Sequence, residues 1–101
     1  MQYRISSVAD IGVLARTVRK TADMRIDDLA ATTRLSKQFV SDVELGKPTV
    51  QLGRVLRMLD ELGVRVYLDV PRELEPHLAR HRAQIEKVSN RRKSRSATRS
   101  E

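Results

Sequence analysis

From Ser7 to about Thr21, the apolar residues Val8, Ile11, Leu14, Ala15 and Val18 recur at the three- and four-residue spacing of a helix with one buried face. Ser7, followed three residues later by Asp10, predicts a capping box with a shorter acid at its start. Asp27, a good N-cap, predicts a second, short helix that carries Leu29, Ala30 and Thr33 and stops there. Ser36 is the next N-cap candidate. Val40 and Val43 follow at helical spacing until Gly46, with Lys47-Pro48 behind it, closes a third helix of about ten residues. In the fourth segment Leu52, Val55, Leu56, Leu59 and Leu62 form a continuous stripe ended by Gly63.

The period then changes. Val64, Val66, Leu68 and Val70 alternate with Arg65, Tyr67, Asp69 and Pro71, the pattern of a half-buried β-strand. A lone strand leaves its ladder groups unpaired, so it requires either the short Tyr3-Arg4-Ile5 segment or the same strand of a second subunit. The reading favours the second, which makes Val64, Val66, Leu68 and Val70 dimerisation residues. Beyond Pro71 a further helix is expected from about Pro76, with a narrow stripe of Leu78, His81, Ile85 and Val88. From Ser89 onward almost nothing is available to bury, and disorder of the free segment is expected. The organisation expected is a domain over residues 1–71 and a basic C-terminal extension over 72–101, a short helix followed by a disordered tail.

A chain of 101 residues has room for one modest core. With Tyr3, Phe39 and Tyr67 its only aromatic residues, that core must be aliphatic. The absence of cysteine excludes a disulfide framework, a thiolate nucleophile and Cys-ligated zinc. No apolar run approaches the ~20 residues of a membrane span, and no export signal opens the chain, so a cytoplasmic protein is expected. The net charge of +7 is uneven: eleven basic residues face nine acidic ones through Pro71, and nine face four thereafter. Such an excess directs attention to nucleic acid, whose counterions clustered Lys and Arg release; the bland alternative is a solubilising tail. His77 and His81 share a helix face, but no third ligand accompanies them, and no metal site is assigned. No nucleophile motif or glycine-rich phosphate loop is present, so neither an enzyme, a cofactor nor a small-molecule ligand is indicated.

Asp27 through Glu44 reads as helix, sharp turn, helix, at the spacing that lets one helix enter the DNA major groove while its neighbour braces it. Leu29-Ala30, then Leu35-Ser36-Lys37-Gln38-Phe39-Val40-Ser41 and Val43-Glu44-Leu45-Gly46-Lys47-Pro48, resemble the phage-repressor/Cro-like (XRE) helix-turn-helix family over roughly Ile11 to Leu62. The strand expected after the fourth helix is most similar to the HipB-type antitoxins. The resemblance implies a mainly α, lambda-repressor-like four-helix domain, followed by a single dimerising β-strand and a C-terminal helix and tail. It places DNA-reading positions at Ser36, Lys37, Gln38 and Ser41, and phosphate contacts at Lys47 and Thr49. The side-chain chemistry agrees, since Lys can donate to guanine, Gln can pair bidentately with adenine and Ser can serve base or phosphate.

Two positions depart from the family pattern. Ile26 stands where a phosphate-binding glutamine usually opens the second helix, and Arg34 replaces the turn glycine. Arg34 must therefore adopt the backbone conformation of a glycine, and beside the turn it is itself a candidate DNA contact. The resemblance further implies an Arg19–Glu44 ion pair between the first and third helices. The function it implies is an operator-binding homodimeric repressor, the antitoxin of a HipBA-type operon that autorepresses and restrains a HipA-like kinase toxin. A free-standing phage-like repressor without a toxin is the alternative.

Overall fold

The computed structural model describes the backbone of residues 1–99 and the side chains of residues 1–93. The described residues form α1 (Val8–Thr21), α2 (Ile26–Thr33), α3 (Lys37–Glu44), α4 (Leu52–Glu61), a single 3-10 turn at Arg72–Leu74, and α5 (Glu75–Arg99). The chain divides after Tyr67 into two units, the first holding α1 to α4 and the second α5.

The helix starts follow the local chemistry of the sequence. At α1, Ser7 Oγ accepts from the Asp10 N–H at 3.4 Å, while Asp10 Oδ2 accepts from the N–H groups of Ser7 and Ser6 at 3.2 and 2.8 Å. These bonds satisfy amides that the first helical turn leaves without partners. At α3, Ser36 Oγ accepts from the Phe39 N–H at 3.0 Å. Helix α2 opens earlier than the expected Asp27 cap: Arg25 occupies the cap position, and Asp28 Oδ2 accepts its N–H at 3.0 Å. Asp27 lies inside the first turn, where a negative charge still favours the positive end of the helix.

The four helices of the first unit end in the same way. After α1, Met24 N–H bonds to Arg19 O and Asp23 N–H to Lys20 O; after α2, Leu35 bonds to Ala30 and Arg34 to Ala31. The pairs Lys47 to Asp42 and Gly46 to Val43, then Val64 to Leu59 and Gly63 to Asp60, repeat this pattern after α3 and α4. This is the Schellman motif, whose pivot residue must be left-handed. The pivots are Asp23, Arg34, Gly46 and Gly63, with φ between 56° and 77°. Glycine announces two of the stops, whereas Asp23 and Arg34 accept a conformation disfavoured for a residue with a Cβ. The motif also turns Met24, Leu35 and Val64 back against the core.

Helix α1 packs on α3, and α2 packs on both α3 and α4. Leu29, Val40, Val43 and Met58 are fully buried at the centre, joined by Ala15, Ala30, Val55 and Leu59. Each large aliphatic residue removed from water there contributes about 1.5–3 kcal/mol. Only Ala15 of the apolar stripe on α1 is fully buried; Gly12 and Arg19, on the same helix, are buried as well. Gly12 permits a close approach, since a Cβ there would stand 2.4 Å from Val43 O and 2.6 Å from Glu44 O. On α4 the expected five-residue stripe is wider than the contact: Val55 and Leu59 are buried with Met58, while Leu52 and Leu56 remain exposed.

The β-strand expected over Val64 to Val70 is not formed, and the described residues contain no strand at all. The fold is all-helical, so the expectation of a dimerising strand is corrected. Alternation alone cannot make a strand without a ladder, and neither Tyr3-Arg4-Ile5 nor any other described segment supplies one. Val64 packs against the core, whereas Val66, Leu68 and Val70 are exposed. The second unit also differs from expectation, because α5 continues through Arg99 where disorder was expected from Ser89. Arg, Lys and Ala, which make up six of the eleven residues from Ser89 to Arg99, are good helix formers and favour helical backbone there without a core. Residues 100 and 101 lie outside the described residues. Leu78, Ile85 and Val88 on α5 are exposed. No helix among the described residues is long and apolar enough to cross a membrane.

Candidate nucleic-acid interface

Helix α3 has two chemically distinct sides. Val40, Val43 and Glu44 face inward and are buried, while Ser36, Lys37 and Gln38 are exposed and Ser41 is half-buried. The inward side is held by charge as well as by packing. Arg19 Nε and Nη2 donate to Glu44 Oε2 and Oε1 at 2.7 and 2.9 Å, and Arg19 Nη1 donates to Met24 O at 2.8 Å. Both side chains of the pair are almost wholly buried. The hydrogen bond to Glu44, and its charge, raise the Arg19 pKa above its already high ordinary value against the opposing effect of burial. A buried pair of this kind adds little net stability over an apolar pair, but its fork geometry fixes orientation. The pair implied by the family resemblance is thus present, and it joins the N-terminal helix to α3.

On the outward side the seven candidate residues lie along α3 and the loops flanking it. Arg34 occupies the left-handed turn before α3, with φ 57° and ψ 35°, and its side chain is exposed. The turn therefore keeps the glycine conformation although the residue is arginine. Ser36 Oγ accepts a cap bond, which leaves its hydroxyl hydrogen free to donate. Lys37 Nζ lies 3.3 Å from Asp27 Oδ1 on α2. Gln38 Nε2 donates to Asp42 Oδ1 at 2.8 Å, and Lys47 Nζ lies 3.6 Å from Asp42 Oδ2. Thr49 is exposed in the loop before α4. The carboxylates of Asp27, read from the sequence only as a helix cap, and of Asp42, not singled out there, thus hold three of the candidate contacts. For Asp42 the available signal was its spacing of four residues from Gln38.

Near the C-terminus of α2, Arg57 of α4 donates to Thr33 O at 3.3 Å, and the buried Thr33 hydroxyl donates to Leu29 O at 2.6 Å. The first bond ties the bracing helix to α4, and the second lies within α2. His77, in the second unit, pairs with Arg80 Nη2 at 2.9 Å. The described residues include no group of three or more His, Asp or Glu side chains that could hold a metal ion.

The short turn between α2 and α3, with one face of α3 buried and the other polar, defines a helix-turn-helix protein. Two solved structures share the fold: a HipB–O4 20mer complex and an O2 20mer complex of a HipB variant. Each aligns with a TM-score of 0.64 at 17% identity, covering 100% of that chain and 70% or 71% of this one. The HTH-type transcriptional regulator y4mF of Sinorhizobium fredii (strain NBRC 101917 / NGR234) is 44% identical over 73 residues, which is 72% of this chain and 96% of that protein. The chain belongs to the family of HTH-type transcriptional regulators, a family of regulators and not of enzymes. No protein-family model matches it. The expected resemblance to XRE helix-turn-helix proteins, and to HipB in fold, agrees with these comparisons.

Proposed function

We propose that this regulator is a cytoplasmic, homodimeric repressor that binds double-stranded operator DNA with α3 in the major groove. The observation that carries the reading is the outward face of α3. Lys37, Gln38 and Ser41 are base-reading side chains held on a helix whose opposite face is anchored by Val40, Val43 and the Arg19–Glu44 fork. Ser36, Arg34, Lys47 and Thr49 act as contacts flanking it, chiefly to phosphate. Two copies would address half-sites about 34 Å apart, and repression follows by occlusion when the operator overlaps the promoter. Val64, partly buried against the core, and the exposed Val66, Leu68 and Val70 are the residues assigned to dimerisation. The test is selection from random duplexes. A two-fold symmetric sequence bound by a dimer is expected, and salt-dependent binding with no sequence preference overturns the reading.

The finer role is that of an antitoxin in a HipBA-type operon, which represses its own promoter and restrains a HipA-like kinase toxin. The fold likeness to HipB supports it, as does the uncovered stripe of Leu78, Ile85 and Val88 on α5. A kinase-like reading frame beside this gene, whose toxicity co-expression suppresses, is the expected finding. A solitary gene favours the free-standing repressor instead.

A further inference from the structure

We propose that Asp42 is a specificity-positioning residue that sets the amide of Gln38 for one base and the ammonium of Lys47 for the adjoining backbone. The inference rests on the reading of α3 as the DNA-contacting helix. Asp42 is partly enclosed, its side chain 22% exposed, and each of its carboxylate oxygens takes a different partner. Oδ1 accepts from Gln38 Nε2 at 2.8 Å, and Oδ2 lies 3.6 Å from Lys47 Nζ. Its backbone carbonyl also accepts the Lys47 N–H at 2.9 Å, in the Schellman motif that ends α3. One residue therefore connects the recognition face to the loop behind it.

The consequence for Gln38 lies in donor arithmetic. A free glutamine amide can turn over and present oxygen or nitrogen to the same base atom, which blurs its readout. An Nε2 hydrogen committed to Asp42 removes that freedom. The second Nε2 hydrogen and Oε1 remain, and these are the donor and acceptor that adenine N7 and N6 require. A carboxylate at this position also repels phosphate, so sequence-independent affinity is reduced while discrimination is sharpened.

The experiment uses the full chain and the operator it selects, with single base-pair variants and a random duplex at matched salt. Asp42→Ala is expected to reduce discrimination about tenfold at the base pair that Gln38→Ala also stops reading. Its binding to random duplex should be unchanged or tighter. The double variant should discriminate no worse than Gln38→Ala alone. Asp42→Asn, whose carbonyl can still accept from Gln38, should keep the base preference. A merely structural defect would weaken operator and random duplex by the same factor, and that result overturns the proposal. So does full discrimination by Asp42→Ala, or a loss that adds to that of Gln38→Ala. If the wild-type chain selects no sequence at all, the reading of α3 falls and the role of Asp42 with it.

Discussion

Replacing Gly12 and Gly53 by alanine makes the same chemical change at two helical positions and should shift stability in opposite directions. On an isolated helix, alanine is favoured over glycine by about 0.8–1.0 kcal/mol. At Gly53, on the first turn of α4, an added Cβ meets nothing within 4 Å, so the variant should gain about 0.5–1 kcal/mol. At Gly12 the Cβ would stand 2.4 Å from Val43 O, 2.6 Å from Glu44 O and 3.0 Å from the Glu44 carbonyl carbon. All three atoms are backbone, so no side-chain rotation relieves the overlap, and α1 and α3 must separate by roughly 0.5–1 Å in an interior packed too densely to absorb it. With three backbone atoms this close, the cost falls in the upper part of the overpacking range, about 2–3 kcal/mol, which exceeds the propensity gain and leaves a net loss of about 1–2 kcal/mol. For a domain of this size that lowers Tm by about 5–15 °C. Urea titration and calorimetry of both variants measure the two signs. A Gly12→Ala protein as stable as the wild type would refute the close approach of α1 to α3.

Removing one side of the buried fork, by Glu44→Ala, leaves Arg19 charged and unpaired and should cost about 3–5 kcal/mol in urea denaturation; Arg19→Met with Glu44→Leu should recover most of it. Because Glu44 raises the Arg19 pKa, the stabilisation from that shift is complete below the ordinary arginine range and is lost only as pH rises through the raised value. The stability contributed through Arg19 ionisation should therefore be flat between about pH 6 and pH 9, checked by comparing wild type with the double variant Arg19→Met, Glu44→Leu, which removes both charges. Arg34→Gly relieves a left-handed residue and should raise stability by about 0.5–1 kcal/mol. The same change should flatten the salt dependence of DNA binding by about 0.9 in log–log slope if Arg34 meets one phosphate, as titration would show.

The four helices of the first unit were legible because their stripes and most of their caps are local. Ser7, Ser36, Gly46 and Gly63 act on their own neighbours, and they do so in the structure. The stop after α2 was legible through the family pattern, in which Arg34 stands at the turn glycine, whereas nothing in the local sequence marked Asp23 as left-handed. Gly12 and Met58 depend on which helix lies opposite, and periodicity does not carry that. The strand failed for a related reason: alternation from Val64 to Val70 describes side chains, whereas a strand requires a backbone partner that none of the described residues offers. In the candidate site the reading face followed from the motif. Of the carboxylates that restrain it, Asp42 carried a signal in its four-residue spacing from Gln38, whereas the Asp27–Lys37 pair joins two helices and is visible only in three dimensions.

The central claim is that the outward face of α3 reads bases, and competition binding of wild type, Lys37→Ala and Gln38→Ala to a selected operator and its point variants tests it most directly. Each variant should lose roughly 1–3 kcal/mol of discrimination at its own base pair, while at matched salt Gln38→Ala should bind random duplex as tightly as the wild type. Variants that discriminate as sharply as the wild type would show that another surface does the reading.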